Sequence, residues 1–341
     1  SHRRNDMHQV RIHAPDDARV DEVAEPTPGP RDAVVRIAAC GICGSDLSFL
    51  KMGPITATGE PMPIGHEMAG EILEVGSEVT GFAVGDPVVI LPGNDDLGRI
   101  GCGIDEGGMA PLLLVREADQ RLFRAPAGVD LKVAALVEPL AVGMNAANRA
   151  EVTPEQPVAV FGCGPVGLAS IATFADRGHT QIVGVDVSAA RRDLALQLGA
   201  SEVVDPTAED VWARLSELHG TAPTMLGPTP GTAAYVEATG VASVVTDLVN
   251  HARPNSTIVV VAVHSGDLPV SGLLVMMREL TIRGAMEYPA RYEDAIELLE
   301  RRDLSAMITH TFDVTEFGDA IALLQTSKEC GKVLITFGDD T

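Results

Sequence analysis

The chain has 341 residues, enough for two domains that each bury a core, and its 45% hydrophobic content is that of a globular protein. Its 48 acidic against 25 basic residues leave a net charge of −23, a surface that repels nucleic acid and anionic lipid. No apolar run reaches the ~18 residues of a membrane span and the start shows no secretory pattern, so the expectation is a cytoplasmic protein with small-molecule partners.

Ser1 and His2 precede Met7, which reads as the initiator, so residues 1–6 resemble a cloning remnant. From residue 7 to about 135 the pattern is β-like. Short β-branched runs (Ala33–Ala38, Glu71–Val75, Pro87–Leu91, Leu112–Val115) alternate with Gly and Pro turns. This predicts a β-rich module with loops long enough to carry ligands. Two of its Gly-bracketed segments, CGICGSD at 40–46 and GHE at 65–67, hold a thiol, an imidazole and a carboxylate in Cys43, His66 and Glu67. Those are the ligand types zinc accepts, and three protein ligands leave its fourth position open to water or substrate. Asp46 offers a carboxylate to orient the histidine. Cys40 and Cys43 form a CxxC, but the partner CxxC of a zinc knuckle is absent. Five cysteines, an odd count at irregular spacing, do not read as a disulfide framework; Cys40, Cys102, Cys163 and Cys330 read as small buried hydrophobes. Leu131–Ala150, Ala-rich with Gly143 inside it, predicts a helix entering a new domain.

Strands and helices then alternate. Val158–Phe161, Gln181–Val185, Glu202–Val204, Tyr235–Glu237 and Thr257–Val263 read as strands. Gly167–Arg177, Ala189–Leu198, Ala208–Leu218 and Val241–Ala252 read as the helices between them, with Thr221–Thr232 a loop. Alternating β and α units imply an α/β fold with a doubly wound parallel sheet. GCGPVG at 162–167 follows the first strand and opens a helix, so Gly162, Gly164 and Gly167 fit G-x-G-x-x-G, with Pro165 and Val166 inside the motif. The first glycine makes the tight turn, the second admits the pyrophosphate, and the third lets helix and strand pack closely. Asp186 lies 19 residues past Gly167, at the end of the next strand. A carboxylate there accepts from both ribose hydroxyls and repels a 2′-phosphate, which favours NAD over NADP, although Arg191 and Arg192 are near enough to tolerate the phosphate. Helices at Arg291–Arg301 and Val314–Thr326 and a last strand at Lys332–Phe337 complete the chain.

Taken in order, CGICGSD, GHE, VEPLAVG at 137–143, GCGPVG and GKVLITF at 331–337 resemble the zinc-dependent medium-chain alcohol dehydrogenases, with the nearest likeness to their sorbitol, threonine and butanediol dehydrogenase branch. The resemblance implies a GroES-like catalytic domain over residues 7–139, completed by 286–341, and a Rossmann NAD-binding domain over 140–285. It implies hydride transfer between NAD and a secondary alcohol, diol or polyol, in a homodimer or homotetramer. Cys43 and His66 take the places of zinc ligands, and either Glu67 or Glu138 is the third. Ser45 matches the hydroxyl that passes the substrate proton, Asp46 holds His66, and Lys332 matches a basic residue at the cofactor pyrophosphate. Thr239 and Val263 fall where the cofactor is contacted, and His264 follows directly. Two departures stand out. The family's relay histidine is replaced by Ser48, and residues 91–106 hold only Cys102, so the four-cysteine structural zinc lobe is missing and one zinc per subunit is expected. A metal-free quinone-oxidoreductase-like reductase and a non-catalytic cofactor-binding scaffold are the alternatives; the intact Cys43, His66 and Glu138 speak against both.

Overall fold

The structure, a computed structural model, describes residues 6–94 and 96–338, and divides them into two compact units. One takes residues up to Glu138 together with Leu299–Ser327 and the segment from Lys332. The other takes Pro139–Leu298 and Lys328–Gly331. In this division the chain re-enters the first unit at residue 299, inside the helix Glu293–Arg301.

The first unit is built on a seven-stranded sheet. Its strands run in the order Leu122–Arg124, Pro87–Ile90, Glu67–Val75, Ala33–Gly41, Lys332–Thr336, Ile308–Asp313, with Leu112–Val115 also paired to Ala33–Gly41. All neighbours are antiparallel except the last pair, Ile308–Asp313 with Lys332–Thr336. Ala33–Gly41 and Lys332–Thr336 are buried along almost their whole length, as their mostly apolar sequences require, with Arg36 the one exposed residue of the first. A smaller sheet joins Asp17–Ala24, Asp6–Ala14 and Met62–Pro63. The β-like reading of this region missed the single turn Ala118–Arg121 and the helix Gly44–Met52. Its start is set by a capping box: Asp46 Oδ2 accepts the backbone N–H of Cys43 at 2.8 Å. The predicted helix over 131–150 is two, Leu131–Ala134 and Val137–Ala150.

The second unit is a six-stranded parallel sheet in the order Glu202–Val204, Ile182–Val185, Val158–Phe161, Ala234–Glu237, Thr257–Val260, Thr281–Gly284. In chain order this is 3-2-1-4-5-6, so the order reverses between Val158–Phe161 and Ala234–Glu237, the switch point at which such sheets bind dinucleotides. Three of the four inner strands, VAVF, IVGV and AYVE, are fully buried, which explains why they lack alternation. Side chains capping helix starts fix the connections: Ser188 accepts from the N–H of Arg191, and Asp210 accepts from those of Trp212 and Ala213. Phe161, Tyr235, Leu215, Leu248 and Ile258 centre the core, each such side chain contributing about 1.5–3 kcal/mol by leaving water.

Candidate metal centre and nucleotide cavity

In the first unit the central strand Ala33–Gly41 runs into the helix Gly44–Met52, and Cys43 sits between them as the helix N-cap. Glu67 begins the neighbouring strand, directly across from Gly41, with His66 just before it. This pairing brings Cys43, His66 and Glu67 together: one ligand atom from each lies within 4.8 Å of the other two. Ligands of one tetrahedral zinc ion sit roughly 3.3–3.8 Å apart, so closure by about 1 Å would bring these three atoms onto a metal. Glu67 is 1% exposed, and its Oε2 has no hydrogen-bond partner. A Cβ on Gly41 would lie 1.9 Å from that oxygen, so the glycine clears the space the carboxylate occupies. A buried, unsatisfied carboxylate oxygen beside a thiol and an imidazole fits a cation.

Asp46 is 1% exposed, and its Oδ1 stands 3.6 Å from His66 Nδ1, an ion-pair distance. Ser45 Oγ lies 3.4 Å from the other ring nitrogen, Nε2. Burial opposes a charged His66, but the Asp46 carboxylate, with the Cys102 and Cys43 side chains, holds its pKa well above the ordinary imidazole value. A metal arriving here displaces that proton. Burial raises the Cys40 thiol far above its usual range, and Cys163 likewise, which keeps both neutral and inert, as expected of packing cysteines.

Three further residues bear on the cluster. Lys332, matched to the cofactor pyrophosphate, lies in the first unit, 2% exposed, with Nζ 2.6 Å from Glu67 Oε1 and 3.1 Å from the carbonyl of Ile42. Burial disfavours its charge, but Glu67 more than compensates and raises its pKa. Cys102 is not packed away: it is partly exposed, with Sγ 3.9 Å from His66 Nδ1, held there by a bridge to Ile64. Glu138, in the first turn of Val137–Ala150, is buried but stands outside the Cys43–His66–Glu67 group.

In the second unit the Gly-rich turn adopts the predicted geometry. Gly162 has φ +92°, and a Cβ on Gly167 would meet the Gly162 carbonyl oxygen at 1.8 Å. Gly164 caps the helix Pro165–Asp176, with Pro165 in its first turn. The turn opens on a cavity of about 630 Å³ whose walls include Gly162, Gly164, Asp186, Arg191, Trp212 and Thr239. Asp186 Oδ2 accepts the Cys163 N–H at 2.7 Å and Oδ1 accepts that of Ser188 at 2.8 Å, which fixes the carboxylate at the cavity wall. Arg191 donates to the Cys330 carbonyl at 2.8 Å, and one of its terminal nitrogens lies 3.8 Å from the place of a Cβ on Gly164, over the turn. Arg192 is occupied by Asp205 at 2.9 Å and by the Asp186 carbonyl at 2.7 Å. Pro165, Val166 and Gly167 back the turn without lining the cavity. Val263, 80% exposed, also lies off its walls. Sequence reading missed the buried partner of His264: its Nε2 meets Glu237 Oε2 at 2.8 Å, a contact across 27 residues that no spacing rule reveals.

Comparison with known proteins matches both halves of the chain to known families. The Alcohol dehydrogenase GroES-like domain family matches residues 29–127, and the Zinc-binding dehydrogenase family matches residues 165–301. Sorbitol dehydrogenase of Gallus gallus is 30% identical over 342 residues, covering 94% of this chain and 92% of that protein. The crystal structure of 2R,3R-butanediol dehydrogenase from Bacillus subtilis superposes with a TM-score of 0.87 at 28% identity, over 97% of this chain and 100% of that one. A zinc-binding dehydrogenase from Sinorhizobium meliloti 1021 bound to NADP gives 0.86 at 27% identity, over 97% and 99%.

Proposed function

The chain belongs to the zinc-dependent medium-chain alcohol dehydrogenases, enzymes acting on CH–OH donors, and on that premise we propose that it oxidises a secondary alcohol, diol or polyol with NAD, using one zinc ion per subunit held by Cys43, His66 and Glu67. The observation that carries this reading is the buried, unsatisfied Glu67 Oε2 within 4.8 Å of the thiol and the imidazole.

When bound, zinc supplies a Lewis acid that makes the alcohol proton removable near neutral pH, and the nicotinamide takes up the hydride. The chain's own residues do the rest. Asp46, facing Nδ1, fixes the ring orientation of His66 and leaves Nε2 for the metal. Ser45 Oγ, 3.4 Å from Nε2, is placed to take the substrate proton. Ser48 does not extend that path, since its hydroxyl donates back to the Gly44 carbonyl at 3.2 Å. Lys332 neutralises part of Glu67, so the ligand set carries less negative charge onto the metal.

Asp186 at the cavity wall supports NAD, and Arg192, tied to Asp205, is not free to meet a 2′-phosphate. Asp186→Ala should therefore relax discrimination against NADP by about tenfold or more, roughly the worth of one hydrogen bond to a charged group. Competitive titrations with NADH and NADPH read this directly, and an unaltered ratio removes Asp186 from the assignment.

All five cysteines are unpaired, which suits the reducing cytoplasm, and no helix among the described residues is long and apolar enough to cross a membrane. A homo-oligomer is favoured by the strand Thr281–Gly284, the edge of the parallel sheet, which carries exposed Ile282 next to exposed Met286.

The deciding experiment is metal content of protein purified with trace zinc and no chelator. One zinc per subunit, lost together with NAD-linked turnover on chelation, is expected. None would point to metal-free chemistry, and two would place a second metal outside this cluster.

A further inference from the structure

Glu237 ends the strand Ala234–Glu237 at the switch point, in register with Phe161, and is completely buried. One of its oxygens, Oε1, accepts from the backbone N–H groups of Thr239 at 2.7 Å and Gly240 at 3.0 Å and from the Thr239 hydroxyl. The other meets His264 Nε2 at 2.8 Å. His264 comes from the segment after the neighbouring strand Thr257–Val260, and its side chain is only 8% exposed. The same two segments are joined by main chain, because the N–H groups of Val261 and Ala262 both donate to the Glu237 carbonyl.

This arrangement bears on the cavity. Ala238, Thr239 and Val241 form part of its wall, together with Gly162. The Gly-rich turn leans on that wall: a Cβ on Gly162 would come within 2.8 Å of the Ala238 carbonyl. Gly240, at φ +73°, is equally confined, since a Cβ there would lie 3.1 Å from the Val263 carbonyl. Gly162 therefore rests on the 238–240 turn, that turn hangs from Glu237, and Glu237 is held from behind by a single side chain.

We propose that His264 is a positioning residue for the dinucleotide: through its bond to Glu237 it fixes the 238–241 turn against Gly162 and so sets the shape of the cofactor cavity. The role rests on reading that cavity as the NAD site. His264 is neither one of the cavity-lining residues nor a member of the Cys43–His66–Glu67 cluster, so its loss should weaken cofactor binding and leave zinc in place.

Trp212, the one tryptophan in the chain, lines the cavity and reports NADH binding by fluorescence. His264→Leu removes the donor at similar volume and should raise the NADH Kd about tenfold, the scale of a hydrogen bond to a charged acceptor, with zinc content unchanged. His264→Gln keeps a donor and should recover most of the affinity. Glu237→Gln should weaken binding to a similar degree, and the double variant should be little worse than either single, because the two side chains act as a unit. If the leucine variant does not fold, His264→Asn, polar but too short to reach Glu237, gives the same comparison. Wild-type affinity in the leucine or asparagine variant overturns the proposal. So does a glutamine variant as weak as leucine with an equal fall in melting temperature, which marks a merely structural histidine. Wild-type protein that binds neither NADH nor NADPH overturns the reading of the cavity itself, and the proposal with it.

Discussion

Cys43→Ser or His66→Ala should abolish turnover while NADH binding, read from Trp212 fluorescence, stays at the wild-type level. Each change leaves two ligands where zinc in a catalytic site takes three from the protein. The side chains that remain, Glu67 with its Oε1 on Lys332 and Asp46 capping the helix Gly44–Met52, cannot replace a lost thiolate or imidazole, since each is already held by its own partner. Losing the Lewis acid forfeits several kcal/mol of barrier lowering, so kcat should fall by at least about 10³-fold. The cofactor cavity belongs to the other compact unit and contains none of these residues, which is why its affinity should survive. Simultaneous loss of metal and NADH binding would mean that the two sites are not independent.

The second large effect is expected at Lys332. Lys332→Met leaves Glu67 buried and charged with no partner for either oxygen, a change that typically costs about 3–5 kcal/mol. For a unit of this size that corresponds to a fall of about 10 °C or more in the melting temperature of metal-free protein. Pairing Lys332→Met with Glu67→Leu removes both charges and should restore most of the stability, yet leave the zinc site broken. Differential scanning calorimetry of the single and double variants separates the two effects. A single variant as stable as wild type would show that the ion pair adds nothing to the fold.

Much of this was visible in the sequence because its signals are local. Gly162, Gly164 and Gly167 announce their turn through close approaches that only glycine allows, and Asp186 follows at the distance set by one helix and one strand. The Cys43 and His66–Glu67 segments were legible because each carries its ligands within a few residues. The helix Gly44–Met52 was not, since it is short, opens on a glycine and is fixed by the Asp46 cap and not by any apolar periodicity. The strand Thr281–Gly284, reading TIRG at the sheet edge, has too little hydrophobic pattern to stand out. Partners far apart in the chain stayed hidden for a different reason. Lys332 reaches Glu67 across 265 residues and Cys102 reaches His66 across 36, contacts that exist only once strand register is set. The resemblance matched Lys332 to the cofactor pyrophosphate by residue type, and residue type alone did not announce its ion pair with Glu67.

The discontinuity of the first unit also constrains how the protein is born. Ala33–Gly41 stays unpaired along the edge leading to Cys43 until Lys332–Thr336 joins it, and Glu67 lacks its counter-ion until the same strand emerges. At translation rates of about 5–20 residues per second, the ribosome needs on the order of 10–40 s to travel from Glu138 to Lys332. By the later part of that interval the second unit has nearly its whole sequence and can fold, while the first unit still waits with an open sheet edge that invites pairing with other nascent chains. The proposed metal site is thereby completed only at the end of synthesis, when Lys332 reaches Glu67.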